Sequence, residues 1–295
     1  VRRGYIKAIG ELKVERDVAT GAILDAGGGF GQVAAAKAAE LACRRAAEFG
    51  IGWGGVKNSN SFGAAGYFAD RISKEGCIGI VLSNAAPTMA AWGGRDAILG
   101  TNPIAVAIPT RRGWPIVLDI ATSVTARGKI KVAADKNEKI PPGWALDKDG
   151  FPTTNAADAM EGTILPMAGH KGYGLALIVD ILTGVLTGGK FGKNVKQLPT
   201  YGKGEGNAGT CHTLLAISLN SCSPNSFIDR VEELVEQIKS SQLAPGSRAV
   251  YLPGEIEAEK AAACQIRGIS LQENEVEALL WVAKELGVNL PMWEG

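Results

Sequence analysis

Apolar and polar positions run along this chain in short blocks, helix-like and strand-like by turns. The clearest helical block is 32–49, rich in Ala, Leu, Lys and Glu, with Gly50 placed to cap its C-terminal end. Ahead of it, Val1–Leu12 alternates loosely and predicts a short helix, and Ala22–Asp25 is a brief apolar run. Ile51–Val56 predicts a strand, Ala64–Glu75 a helix stopped by Gly76, and Ile78–Leu82 another strand. Ile104–Ile108 and Ile116–Asp119 follow as strands. Residues 135–155 are polar and marked by Pro and Gly, which predicts an excursion over the surface. Leu175–Leu186 is apolar almost throughout and predicts a fully buried helix, and Leu214–Leu219 predicts a strand. Two late helices follow, with Ser226 and Asp229, then Ser270 and Glu273, spaced like capping boxes. Ile228, Val231, Leu234, Val235 and Ile238 form one apolar stripe, and Val276, Leu279, Leu280 and Ala283 another. Such stripes mark core or interface faces.

Composition narrows the class. The 46% hydrophobic and 21% charged residues belong to a globular chain, and 295 residues suffice for one large domain or two ordinary ones. Thirty-one Lys and Arg against 30 Asp and Glu leave no overall field to hold nucleic acid or an anionic membrane. Five scattered Cys without a C-x-x-C pair fit reduced thiols, which predicts a cytoplasmic protein with neither a disulfide framework nor a metal site. The longest apolar stretch carries Asp180 and is too short to span a bilayer. Glycine, 39 of 295, runs at nearly twice its usual share of roughly 7%, which suggests tight turns around bound molecules. Only His170 and His212 are histidines, so proton donors near neutral pH are scarce.

Gly27-Gly-Gly-Phe-Gly31, between an apolar run and a helix, invites comparison with a dinucleotide-binding turn. That turn needs G-x-G-x-x-G, and position 32 is Gln. An acidic residue on a second strand about twenty residues on is missing too; a turn with structural duties is the better reading. What remains is a series of polar, glycine-bearing segments at strand ends: Asn58-Ser-Asn-Ser-Phe-Gly-Ala-Ala65, Leu99-Gly-Thr-Asn-Pro103, Asp119-Ile-Ala-Thr-Ser123, Ala126-Arg-Gly-Lys-Ile130 and Gly169-His-Lys-Gly-Tyr-Gly174. With Pro142-Gly-Trp-Ala-Leu-Asp147, Gly150-Phe-Pro-Thr153 and Pro253-Gly-Glu255, they run in order along the chain.

That ordered series resembles the malate/L-lactate dehydrogenase family of the non-Rossmann type, and the resemblance covers essentially the whole chain. It implies an α/β fold: a mixed-sheet α/β domain packed with a helical part formed by both chain ends. The approximate division is 1–50 with 225–295 for the helical part and 51–224 for cofactor and substrate. It further implies an oxidoreductase using NAD or NADP to interconvert a 2-oxoacid and a 2-hydroxyacid by hydride transfer, working as a homodimer. Reduction of a cyclic imino acid is a related alternative, because it too places hydride on a carbon next to a carboxylate.

Carried over residue by residue, the resemblance assigns substrate binding to Arg3, Thr101 and Arg127. Arg suits a carboxylate through its planar fork. Cofactor contacts fall to Ser61, Phe62, Gly63, Ala64, Asp119, Ile120, Ala121, His170, Lys171, Pro253, Gly254 and Glu255. Ser61 and Lys171 are the candidate catalytic residues. Relatives place His where Ser61 stands, and carry S-H-G-V-x-R where this chain begins Val1-Arg2-Arg3. The expectation is therefore that the catalytic histidines are absent and activity is impaired, leaving a non-catalytic or truncated cofactor-binding relative as the rival reading. His212, between Cys211 and Thr213 ahead of a strand, reads as structural.

Overall fold

A computed structural model describes residues 1, 4–8, 10–197 and 207–289. They divide into two compact units, 1–254 and 255–295. In the first unit, β1 (Lys13–Val18) and β2 (Gly21–Asp25) form a hairpin ahead of α1 (Gly31–Phe49) and β3 (Ile51–Ser59). Then come α2 (Ala65–Ser73), β4 (Cys77–Ser83), β5 (Met89–Ala90), β6 (Ala97–Leu99), β7 (Ile104–Ile108) and β8 (Ile116–Ile120). Next are α3 (Arg127–Asp135), β9 (Ala145–Leu146), β10 (Pro152–Thr153), α4 (Ala156–Glu161), β11 (Thr163–Ile164) and α5 (His170–Asp180). A π-helical turn, Ile181–Val185, continues α5, and β12 (Thr210–Ser218) and α6 (Pro224–Lys239) complete the unit. The second unit holds α7 (Glu255–Arg267) and α8 (Glu273–Leu286).

Seven strands form one sheet in the order β1-β2-β3-β12-β4-β7-β8, and five short ones form another, β10-β9-β11-β5-β6. In the larger sheet only β2 and β3 run parallel. The mixed α/β architecture, with helices from both chain ends, is the one expected. A doubly wound parallel sheet is ruled out by the antiparallel pairings.

One face of the larger sheet carries α1 and α2 over a core of Leu24, Val56, Phe68, Ile72, Val81 and Leu214. The inward side of α1 is almost all alanine, from Ala34 to Ala46. Its backbone therefore comes so close to β3 that a Cβ on Gly52 would lie 2.1 Å from the Ala42 carbonyl oxygen. Below the second sheet a smaller core gathers Ile130, Ile140, Ala145, Ala156, Ala159 and Ile164.

Several sequence expectations need correction. No helix forms in the described part of Val1–Leu12; strand β1 follows instead, exposed at every position and held by pairing to β2 rather than by burial. The excursion over 135–155 contributes β9 and β10 to the smaller sheet. The late helices begin elsewhere than the capping boxes predicted. α6 starts at Pro224 behind Ser223, and in α8 the reciprocal bonds join Gln272 and Glu275. Of the two apolar stripes, only Val235 and Ala283 are buried.

The largest departure is Leu175–Leu186. Helix α5 and its π turn lie on the sheet face opposite α1, where Thr213 Oγ1 donates to the Leu182 carbonyl at 2.7 Å. The residues turned inward are Ala176, Val179, Asp180, Thr183, Gly184 and Thr187, mostly small or polar. Ile178 is 53% exposed, and Leu175, Ile181, Val185 and Leu186 are exposed with it.

Candidate active site

Strand register brings the motif segments to one end of the larger sheet. Thr210 pairs with Ser59, His212 with Ser83, Leu82 with Ile104, and Ile104 with Ile120. The chain therefore leaves β3, β4 and β8, and enters β7 and β12, at the same edge. Segments 58–64, 99–103 and 119–123 are these strand-end connections, which is where an open sheet can offer backbone and side chains to a ligand.

Hydrogen bonds join them into one surface. Thr122 donates to the Thr101 carbonyl through both its backbone N–H, at 2.9 Å, and its Oγ1, at 3.0 Å. Buried Asn102 donates from Nδ2 to the Ala176 carbonyl of α5 at 2.9 Å and accepts from Ala85 N–H at 3.0 Å. The Thr122 carbonyl accepts from Met167 N–H, and the Met167 carbonyl from Gly172 N–H, both at 3.0 Å. Together these bonds fix the first turn of α5 beside Thr101. His170 and Lys171 stand exposed on that turn, and the His170 ring meets Trp92 edge-on at 6.1 Å.

A second group sits across β8. Asp119 Oδ2 accepts from Gly66 N–H at 2.9 Å, so a carboxylate from β8 serves one of the unpaired donors that open α2. This contact ties Asp119–Ala121 to the segment Ser61–Ala64 just ahead of α2. Ser61, Gly63 and Ala64 are exposed, while Phe62 is buried against Phe68 and His212. The Pro253 carbonyl accepts from Val117 N–H at 3.0 Å, which docks the Pro253-Gly254 turn on β8; Glu255 opens α7 in the second unit. Arg127 opens α3 and donates from Nη2 to the Met160 carbonyl. Arg3 lies outside the described residues.

Beneath the surface is a polar cluster that sequence reasoning missed. His212 has no exposed surface. Its Nδ1 is 2.9 Å from Ser83 Oγ, and its Nε2 is 3.0 Å from Ser59 Oγ and 3.2 Å from the Asn60 carbonyl. A carbonyl can only accept, so Nε2 carries the proton towards Asn60, while Nδ1 lies against Ser83 Oγ, which also donates to the Asn84 carbonyl at 2.8 Å. Burial holds this imidazole well below its ordinary value, at about 4, against the opposing bond to the Asn60 carbonyl. The expectation that the catalytic histidines are absent, and the impaired activity inferred from it, is thereby corrected. His212 is present and bonded to the backbone and side chains that lead into Ser61, an arrangement consistent with a catalytic histidine. Its signal was weak in sequence, because its partners Ser83 and Ser59 lie 129 and 153 positions away along the chain.

A profile of the malate/L-lactate dehydrogenase family matches residues 1–280. The chain belongs to this family. It is 40% identical to the L-sulfolactate dehydrogenase of Methanothermobacter thermautotrophicus, over all of this chain and 84% of that protein. With the malate dehydrogenase of Pyrococcus abyssi it shares 39% identity, over 97% and 80% of the two chains. The solved sulfolactate dehydrogenase of Methanocaldococcus jannaschii superposes with a TM-score of 0.87 at 38% identity, covering 98% of this chain and 82% of that one. Two further relatives name their cofactors. One is the NAD(+) ureidoglycolate dehydrogenase of Escherichia coli K12, 33% identical over 92% of this chain and 76% of that protein. The other is the NADP(+) (2R)-3-sulfolactate dehydrogenase of Chromohalobacter salexigens, 38% identical over 86% and 73%.

As a member of the malate/L-lactate dehydrogenase family, this chain is an NAD(P)-dependent oxidoreductase that interconverts a 2-oxoacid and a 2-hydroxyacid. The residues at the sheet edge suit an anionic dinucleotide. Lys171 places an exposed cation in the first turn of α5, and a Cβ on Gly63 would meet nothing within 4 Å, so backbone there is open to close approach.

Proposed function

We propose that this malate/L-lactate dehydrogenase family member acts on a 2-hydroxyacid of malate or sulfolactate type, with Lys171 and Ser61 at the reacting centre. The observation that carries this reading is the hydrogen-bonded fixing of the Lys171 turn beside Thr101 at the sheet edge. A nicotinamide held at this edge would supply the hydride that C2 of the acid takes up, or accept it in the reverse direction. In the direction of reduction, Lys171 Nζ holds the proton that the developing alkoxide takes up, and its charge stabilises that oxygen. The Ser61 hydroxyl donates a hydrogen bond to the same oxygen, while Thr101 Oγ1 and the guanidinium groups of Arg3 and Arg127 bind the carboxylate. Ser61–Ala64, Asp119–Ala121, His170 and Pro253–Gly254 hold the cofactor.

The working form is proposed to be a homodimer in the cytoplasm. The exposed apolar face of α5 supports a partner copy, and five unpaired thiols support a reducing compartment. Among the described residues no helix is long and apolar enough to cross a membrane.

The test is a fluorescence titration with NADH and NADPH. Oxaloacetate, sulfopyruvate, pyruvate or a cyclic imino acid is then added while nicotinamide absorbance is followed. Turnover is expected to be fastest with a dianionic 2-oxoacid. Lys171→Ala is expected to lower kcat/KM by roughly 10²-fold or more. Preferred turnover of the cyclic imine would reverse the substrate assignment, and an unchanged Lys171→Ala enzyme would remove Lys171 from the centre.

A further inference from the structure

The glycine-rich turn 27–31 has the look of a phosphate cradle but not its chemistry. Three of its N–H groups are already used: Gly27 donates to Asp25 Oδ1 at 2.7 Å, Gly28 to the Asn58 carbonyl at 2.8 Å, and Gly29 to the Ala26 carbonyl at 2.8 Å. A cradle leaves such donors free for an anion. The carbonyls of this turn instead face inward, and one side chain reads them. Asn60, 1% exposed, donates from Nδ2 to the Gly28 carbonyl at 3.0 Å and the Gly29 carbonyl at 2.8 Å. Its Oδ1 accepts from Ala208 N–H at 3.1 Å, and its own carbonyl is the one that faces His212 Nε2. Asp25 adds a second tie, accepting from Asn58 Nδ2 at 2.7 Å.

The turn and the segment that follows Asn60 are in backbone contact. A Cβ on Gly31 would lie 2.1 Å from the Asn60 carbonyl oxygen and 2.6 Å from that of Ser61. No side chain fits there without displacing Ser61.

We propose that the Gly27–Gly31 turn is a platform that positions Ser61–Ala64, and that Asn60 is the positioning residue that pins the two together. The consequence for catalysis rests on the reading that Ser61–Ala64 contact substrate and cofactor. With both Nδ2 hydrogens and Oδ1 engaged, the amide has no freedom to flip, so its backbone delivers Ser61 in one orientation. Small displacements of reacting groups are costly, about 10²-fold for roughly 1 Å.

The experiment compares the unaltered protein with Asn60→Ala, Asn60→Asp and Gly31→Ala, with Asn60→Ser replacing any Asn60→Ala protein that does not fold. Amide hydrogen exchange, which needs no substrate, is measured together with NADH affinity, kcat and KM. Asn60→Ala is expected to speed exchange in 27–31 and 61–64 together and to lower kcat/KM by about 10–10²-fold. Gly31→Ala is expected to lower kcat/KM by displacing Ser61, with Asn60 intact. Asn60→Asp places a carboxylate against two carbonyl oxygens, so its carboxyl titrates above the ordinary range. Its activity relative to Asn60→Ala should therefore recover as pH falls, when the protonated group again donates. A role confined to general stability predicts no such pH-dependent rescue. Unchanged exchange at 61–64, or a pH-flat Asn60→Asp matching Asn60→Ala, overturns the pin. Should the unaltered protein neither bind NADH nor turn over while exchange remains coupled, the functional reading falls and the platform stands.

Discussion

The junction around His212 and the outer face of α5 reverse each other's expected polarity. Asn58-Ser-Asn-Ser61 is a polar stretch, yet Ser59 and Asn60 are buried, with Ser83 and His212 beside them. Leu175–Leu186 is apolar, yet its leucines and isoleucines are exposed, while Val179, Asp180, Thr183, Gly184 and Thr187 are buried. Burial in the first region is made tolerable by complete pairing, since each buried polar group finds a partner within the cluster. In the second region the hydroxyls facing the sheet bond back to the helix itself: Thr183 to the Val179 carbonyl at 2.8 Å and Thr187 to the Thr183 carbonyl at 2.6 Å. Such bonds accompany the π turn at Ile181–Val185 and let polar residues lie against strands at small cost. Hydrophobicity therefore marks what a surface can bury, and hydrogen-bond supply decides what the fold does bury.

The sharpest way to break the comparison is His212→Leu. It leaves the Ser59 and Ser83 hydroxyls and the Asn60 carbonyl without their imidazole partner, for an expected loss of about 2–4 kcal/mol in denaturant unfolding. The same residue predicts a pH dependence. Its folded value of about 4 lies below the ordinary 6.5, so between these values the unfolded chain binds more protons. Stability is then full above about pH 6.5 and falls by up to about 3 kcal/mol as pH drops towards 4. His212→Leu should flatten that slope; an equal slope in both proteins would assign it to other groups.

On the apolar side, Ile178→Glu places a charge on the exposed α5 face. Dissociation of the proposed dimer, followed by sedimentation, is expected to rise by at least about 10-fold, with monomer unfolding changed by less than about 0.5 kcal/mol. A large loss of monomer stability would mean instead that this face is covered within the chain.

The smallest effect tests the link between the two site segments. Asp119→Ala removes the acceptor for Gly66 N–H at the start of α2, costing about 1 kcal/mol in unfolding experiments. No loss at all would show that water serves that donor equally well.

The sequence by itself determined the locally coded parts. Its alanine-rich 32–49 block and Gly50 foretold α1 and its left-handed cap, where φ is 82°, and the run Ile104–Ile108 foretold β7. The ordered motifs were legible as a family likeness, and with them the chemistry. Tertiary structure decided the rest. It made a strand of the charged segment Lys13–Val18, which extends along β2 and is tied down by the ion pairs Asp17–Arg45 and Glu15–Lys57. It left the leucines and isoleucines of α5 exposed and buried Ala176, Val179, Thr183 and Thr187 instead. It also gave the glycine turn and His212 their places, through bonds from Asn60, Ser59 and Ser83 that no local pattern announces. Helix propensity and turn chemistry act over a few residues, so sequence carries them openly. A buried polar network exists only where distant strands meet, and its members look like ordinary loop residues until they do.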